Sequence, residues 1–94
     1  MNNDSHTKEQ FETETDVLEQ VTPSLVLFND DVNTFEHVID CLQKICAHTV
    51  EQATQASILV HHKGKCVVKN DAHDQLKPMC HALLDAGLSA KIMD

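Results

Sequence analysis

Residues 25–46 read LVLFNDDVNTFEHVIDCLQKIC and contain the pattern that decides the fold. Four consecutive apolar residues, 25–28, predict a short strand. Asn33 and Glu36 have the spacing of a capping box, with Asn in place of the usual Ser or Thr. After them, apolar residues recur at helical spacing and predict an amphipathic helix. These residues are Phe35, Val38, Ile39, Leu42, Ile45 and Cys46.

A second helix is predicted to begin at Thr49 and to end at Gly64. Thr49 and Gln52 match a capping box, and Gly64 suits the left-handed position that follows a helix. One side of this helix carries small and apolar residues together with a histidine, because residues three and four apart share a face. They are Ala53, Ser57, Val60 and His61.

The remaining third of the chain predicts a strand, a helix and a strand. Residues 65–69 predict the first strand, and Asn70 and Asp71 the turn after it. A helix is expected over residues 74–86, with Pro78 in its first turn, where backbone N–H groups have no partner. Its apolar stripe comprises Leu76, Cys80, Leu83 and Leu84. Gly87 ends this helix, and residues 88–92 alternate as a closing strand. The whole order predicts an α+β domain in which three helices pack on one three-stranded sheet.

Residues 1–22 are polar and acidic, and predict a flexible arm before a core domain at 23–94. The net charge of the 94-residue chain is −8. This charge argues against nucleic acid or an anionic membrane surface as a partner, since both require a positive surface. The chain has neither an apolar run of about 18 residues nor a signal pattern. A cytoplasmic protein with reduced cysteines is therefore expected.

Metal binding and catalysis find little support in the sequence. His61, His62 and Cys66 suggest a zinc site, but the four cysteines have no C-x-x-C spacing and are expected as small buried hydrophobes. The polar loop, residues 29–34, begins a stretch whose oxygen-bearing residues resemble an EF-hand. However, Thr34 stands where glycine is needed and Glu36 where an apolar residue is needed. No nucleophile motif and no glycine-rich phosphate loop is present. We therefore expect no metal, no cofactor and no enzymatic activity.

The adjacent carboxylates in this loop leave two interpretations open. Asn and Asp are ordinary turn and cap residues, so Asn29, Asp30 and Asp31 are explained by loop structure alone. Alternatively, their oxygens and a histidine on the next helix surround an ammonium group through charge-assisted hydrogen bonds. Local chemistry by itself favours the structural interpretation.

Two separated motifs resemble the ClpS adaptor family. The first is an apolar strand followed by Asn29-Asp30-Asp31 and, on the helix, Val38-Ile39-Asp40. The second is Ala53-Thr54-Gln55 followed by Val60-His61 and Gly64. The resemblance covers residues 24–93 and implies three helices against a three-stranded antiparallel sheet. Members of this family are not enzymes. They bind proteins that begin with Leu, Phe, Tyr or Trp, a signal called an N-degron, and deliver them to an AAA+ Clp unfoldase and its protease.

The resemblance also implies a site. Asn29, Asp31 and His61 match the positions that hold the substrate's α-amino group, with Asp30 beside them. The positions that line the pocket for the first side chain match Phe35, Val38, Ser57, Val60 and Leu88. Asn33 matches a residue that contacts the substrate backbone, and Lys77 matches a lysine that contacts the unfoldase.

Two positions depart from the common family pattern. Phe35 stands where many members have a methionine that keeps β-branched side chains out, and Ser57 stands where a larger residue, often methionine, is common. The expected partners are N-terminal peptides of substrate proteins and a ClpA- or ClpC-type unfoldase, and the adaptor is expected to be a monomer. The competing hypothesis is a generic α+β interaction domain of the same fold that does not bind N-degrons.

Overall fold

The computed structural model describes residues 22–94, and the predicted order of strands and helices is confirmed there. The elements are β1 (Ser24–Phe28), α1 (Phe35–Cys46), α2 (Val50–Lys63), β2 (Lys65–Asn70), α3 (His73–Asp85) and β3 (Ser89–Met93). The predicted acidic arm, residues 1–22, lies outside this part of the chain except for its last residue, so the boundary of the arm stays a prediction.

The three strands form one antiparallel sheet in the order β2-β1-β3. With three helices and this sheet, the predicted α+β fold is confirmed. In the centre of the sheet, Leu27 pairs with Cys66 on one side and Ala90 on the other. Phe28, the last residue of β1, pairs with Lys65 and Ser89. The polar loop therefore leaves the sheet between the first residue of β2 and the first residue of β3.

The core lies between the helices and one face of the sheet. Its largest fully buried side chains are Leu25, Leu27, Leu42, Cys46, Leu76 and Leu83. Cys41 and Cys80 are also buried, as expected of cysteines that pack as small hydrophobes, whereas Cys66 on β2 is only partly buried. Burial raises the pKa of the Cys46 thiol to about 11, so this group stays protonated at neutral pH.

Two residues predicted on apolar stripes are exposed, since Phe35 keeps 46% and Leu84 keeps 47% of the residue's accessible surface. Phe35 is the first residue of α1, so it extends past the end of the core. Leu84 follows the buried Leu83, and a helix turns about 100° per residue. Leu84 therefore points away from the core.

The helix ends agree with the sequence in part. Thr49 and Gln52 form the predicted capping box, with both hydrogen bonds present at 3.1 and 2.9 Å. The predicted cap of α1 is wrong by one residue, because the hydroxyl of Thr34, and not Asn33, accepts a hydrogen bond from the N–H of His37 at 3.1 Å. The side chain of Asn33 has other partners, described below.

The predicted position of Pro78 is also wrong, because it is the sixth residue of α3 and lies beyond the first turn. Proline cannot donate the hydrogen bond that a helix expects between residues four apart. Pro78 and Asp74 are both exposed, so this missing hydrogen bond is on the side of the helix that water reaches.

Across residues 22–94, no helix has the length and apolar character of a membrane-spanning segment.

Candidate functional site

A pocket of about 260 Å³ opens where the polar loop and the end of β1 meet the start of α1, the last turns of α2 and Leu88, the residue directly before β3. All ten residues predicted to contact substrate line it. They are Asn29, Asp30, Asp31, Asn33, Phe35, Val38, Ser57, Val60, His61 and Leu88. Leu27, Phe28 and Thr34 line it as well and were missed by the sequence reasoning. Lys77 does not line this pocket; it is exposed on α3.

One backbone hydrogen bond brings the two halves of the site together. The N–H of Asn29 donates to the carbonyl of Gly64 at 2.9 Å. Gly64 ends α2 with a φ of 92°, a left-handed conformation that suits glycine. The bond therefore places the start of the polar loop beside the last turn of α2, which carries His61. The carboxyl end of a helix has a partial negative charge, so this position favours a cation.

Asp30 is the residue that holds the loop together. Its Oδ1 accepts hydrogen bonds from the backbone N–H groups of Val32 and Asn33, each at 3.0 Å. The amide Nδ2 of Asn33 also donates to both carboxylate oxygens, at 3.0 and 2.9 Å. Desolvation alone would raise the pKa of Asp30, but the hydrogen bonds from the Asn33 side chain and the two backbone groups outweigh it and lower this pKa. Asp30 is therefore a charged residue whose oxygens are already engaged.

Asp31 differs from its neighbour, because within residues 22–94 its carboxylate has no hydrogen bond and no ion pair. It is exposed at the mouth of the pocket. The side-chain amide of Asn29 and the imidazole of His61 likewise have no hydrogen-bond partner among these residues. The mouth thus presents a carboxylate, an amide and an imidazole that can accept hydrogen bonds from a cationic donor.

Asn33 links the loop to the turn between α3 and β3. Its Nδ2 donates to the carbonyl of Gly87 at 2.9 Å in addition to Asp30. In the first turn of α1, Nε2 of His37 donates to the carbonyl of Ala86 at 2.8 Å. These two bonds hold the start of α1 against the residues that precede Leu88. The carbonyl oxygen of the Asn33 side chain has no partner among residues 22–94 and remains an acceptor.

The interior of the pocket is apolar except at Ser57. Its buried lining residues are Leu27, Ser57, Val60 and Leu88, and Val38 is partly buried beside them. Phe35 stands at the mouth with its ring edge-on to His61, at a centroid distance of 5.4 Å and an interplanar angle of 62°. An apolar interior under a polar mouth suits a ligand that has a cationic group next to a hydrophobic side chain. No group of three or more His, Cys, Asp or Glu residues in 22–94 is arranged to hold a metal ion.

We expect Asp30→Asn to reduce the free energy of unfolding by about 1 kcal/mol at pH 7. The carboxylate of Asp30 accepts hydrogen bonds from the Asn33 side chain on both oxygens, whereas the amide of an asparagine has only one acceptor oxygen. A lowered pKa in the folded state stabilises the fold above the ordinary aspartate pKa, and this stabilisation is lost as the pH falls through the folded-state pKa. The difference in the free energy of unfolding between Asp30→Asn and the unmodified protein should therefore be constant from about pH 7 to pH 5 and shrink below about pH 4. Urea denaturation across this range measures it.

Asp40→Asn is the matched control, because Asp40 lies on α1 in an exposed ion pair with Lys44 at 3.1 Å. Such pairs contribute at most about 1 kcal/mol and often much less. A loss of stability in Asp30→Asn that is no larger than in Asp40→Asn, or that grows on acidification, would contradict the role given to Asp30.

The comparisons with known proteins agree on one family. The family model described as ATP-dependent Clp protease adaptor protein ClpS matches residues 19–91. The ATP-dependent Clp protease adapter protein ClpS of Sodalis glossinidius is 43% identical over 63 residues, which are 63% of this chain and 59% of that protein. That of Cronobacter sakazakii is 41% identical over 58 residues, 57% of this chain and 55% of that protein. The chain thus spans less than two thirds of the length of these relatives.

A solved structure shares the fold. Agrobacterium tumefaciens ClpS2 bound to L-phenylalaninamide superposes with a TM-score of 0.70 and 20% sequence identity, and the match covers 77% of this chain and 94% of that one. At this identity the likeness concerns the fold, and it agrees with the antiparallel three-stranded sheet and three helices described above.

Proposed function

Since the chain belongs to the ClpS family, as the match of the family model to residues 19–91 shows, we propose that it is an adaptor for a Clp protease. It binds proteins whose first residue is bulky and hydrophobic (Leu, Phe, Tyr or Trp) and delivers them to an AAA+ Clp unfoldase. It acts by binding and carries out no reaction itself.

The observation that carries this proposal is the carboxylate of Asp31, which has no partner within residues 22–94 and lies at the mouth of an apolar pocket. An α-amino group has a pKa of about 7.7–8.0, so most of it is cationic at pH 7. We propose that Asp31, the Asn29 side-chain carbonyl and His61 accept its hydrogen bonds, and that Asp30 contributes charge while it fixes the loop. Asn33 offers its side-chain carbonyl oxygen, which accepts no hydrogen bond within residues 22–94, to the substrate backbone.

The energetics require both parts of the site. Burying a Leu or Phe side chain contributes about 1.5–3 kcal/mol, whereas micromolar affinity requires about 8 kcal/mol. The apolar pocket alone is therefore insufficient, and the contacts to the ammonium group and the peptide backbone supply the difference. In this proposal Phe35, Val38, Ser57, Val60 and Leu88 enclose the first side chain.

The ligand of the structural relative supports the same chemistry. L-phenylalaninamide, which is bound to Agrobacterium tumefaciens ClpS2, combines a free α-amino group with an aromatic side chain, as the first residue of a protein does. A pocket with a polar mouth and an apolar interior accepts both groups at once.

Delivery needs a second surface, away from the pocket. Lys77 is exposed on α3, and we propose that it contacts a ClpA- or ClpC-type unfoldase. The adaptor acts as a cytoplasmic monomer, and the acidic segment 1–22 takes part in the transfer of substrate.

Fluorescence anisotropy tests the proposal with two labelled peptides that differ only at the N-terminus, one beginning with Phe and the other with acetyl-Phe. We expect acetylation to weaken binding at least tenfold, because it removes the positive charge and adds bulk at the mouth of the pocket. Equal binding of the two peptides, or no binding of either, would contradict the N-degron function and favour the generic interaction domain.

A further inference from the structure

Ser57 is the one polar residue among the buried residues of 22–94, with 3% of its surface exposed. It lines the pocket next to the apolar Leu27, Val60 and Leu88. The other polar lining residues belong to the loop and the last turn of α2 at the mouth, and each of them is more exposed than Ser57. The hydroxyl of Ser57 is therefore a polar group in the otherwise apolar interior.

The hydrogen bond that Ser57 makes leaves its oxygen available as an acceptor. Oγ donates to the carbonyl of Ala53, one turn earlier in α2, at 2.8 Å. A hydroxyl has one donor hydrogen and two acceptor lone pairs. Its donor is used, and within residues 22–94 no group donates to it. A ligand that reaches Ser57 thus finds an acceptor.

The depth of Ser57 suits the tip of an aromatic side chain. Ser57 precedes His61 by four residues in α2, a rise of about 6 Å along the helix axis, which is similar to the reach of a tyrosine side chain. The volume is also sufficient, because a cavity of about 150 Å³ holds a benzene molecule and this pocket has about 260 Å³. Phe35 at the mouth offers a ring that favours edge contacts with another ring.

We propose that Ser57 makes this pocket selective for N-terminal tyrosine over phenylalanine, by accepting a hydrogen bond from the phenol hydroxyl. The inference rests on the proposed function and specifies its substrate. Phenylalanine fills the same space but leaves the Ser57 acceptor without a donor. Leucine fills less of it and makes no ring contact with Phe35.

The test combines two peptides with two proteins, in four affinity measurements by anisotropy. The peptides are identical except that one begins with Tyr and the other with Phe. We expect the unmodified protein to bind the Tyr peptide about fivefold more tightly, which corresponds to about 1 kcal/mol and one neutral hydrogen bond. In Ser57→Ala the phenol is buried without an acceptor, so the Phe peptide should bind more tightly than the Tyr peptide.

Thr54→Val is the matched control on the same helix. Thr54 makes the same kind of bond, from Oγ1 to the carbonyl of Val50 at 2.7 Å, but does not line the pocket. Removing the Thr54 hydroxyl should leave the ratio of the Tyr-peptide affinity to the Phe-peptide affinity unchanged. Thermal unfolding followed by circular dichroism checks that both variants fold.

A second series keeps the protein unmodified and varies the first residue of the peptide. Para-amino-phenylalanine carries a donor at the ring tip and should bind like Tyr, whereas para-fluoro-phenylalanine carries none and should bind like Phe. Equal affinities across this series, or an equal Tyr to Phe ratio in the unmodified protein and Ser57→Ala, would overturn the role of Ser57 while the N-degron function stands. If no peptide binds at all, the proposed function fails and this inference fails with it.

Discussion

Replacing Asp31 with alanine should weaken the binding of a peptide that begins with Phe by about tenfold to 150-fold, which corresponds to the 1.5–3 kcal/mol of a hydrogen bond to a charged group. Within residues 22–94 the carboxylate of Asp31 has no partner, so its removal costs no internal hydrogen bond there. The loss should therefore appear in peptide affinity and leave the free energy of unfolding unchanged. Anisotropy measures the first quantity and urea denaturation the second.

Two further variants separate charge from shape. Asp31→Asn keeps a neutral acceptor oxygen in place. It should reduce the binding free energy by about half as much as Asp31→Ala does, because charge-assisted hydrogen bonds are about twice as strong as neutral ones. Asp40→Asn removes one negative charge elsewhere on the surface, from the exposed pair with Lys44, and should bind the peptide normally. Unchanged binding by a folded Asp31→Ala would show that the ammonium site is assigned to the wrong residue.

The backbone of this protein follows from local patterns in its sequence. Apolar residues at helical spacing, the capping box at Thr49 and Gln52, and Gly64 at a helix end each act over a few residues, and the observed elements agree with them. The cap of α1 shows the limit of such reasoning. Asn33 and Thr34 are both good caps by residue type, and the choice depends on Gly87, which lies 54 residues away in the sequence and accepts a hydrogen bond from Asn33.

The same limit applies to the site. Asp30 and Asp31 are adjacent and chemically identical, yet only Asp30 is engaged by Asn33 and the loop backbone. Residue type cannot distinguish them, because the difference arises from the path of the loop. Local chemistry offered a histidine on the next helix only as an open alternative, and the resemblance to a family is what assigned His61 to the site. Leu27 was missed because its apolar, buried position looks like that of any central strand residue.

Leu27 shows that the core and the pocket share a wall, and this makes a further variant informative. Leu27→Ala should lower the free energy of unfolding by about 2–5 kcal/mol, the range for such a substitution at a buried site, since Leu27 has only 1% of its surface exposed. It should also weaken the binding of the Phe peptide about threefold to tenfold, because the bound ring loses apolar contacts on that side. A peptide that begins with Trp should lose less, because the larger indole occupies part of the new space.

Leu25→Ala is the matched control, because Leu25 lies two residues earlier on β1, faces the same side of the sheet and is also fully buried, but does not line the pocket. Both variants should lose a similar amount of stability in urea denaturation, and only Leu27→Ala should change peptide affinity. Where the alanine variants unfold, Leu27→Val and Leu25→Val provide the same comparison at a cost of about 1 kcal/mol. Equal losses of affinity in the two folded variants would mean that binding depends on the overall stability of the domain, and that Leu27 is not a wall of the peptide site.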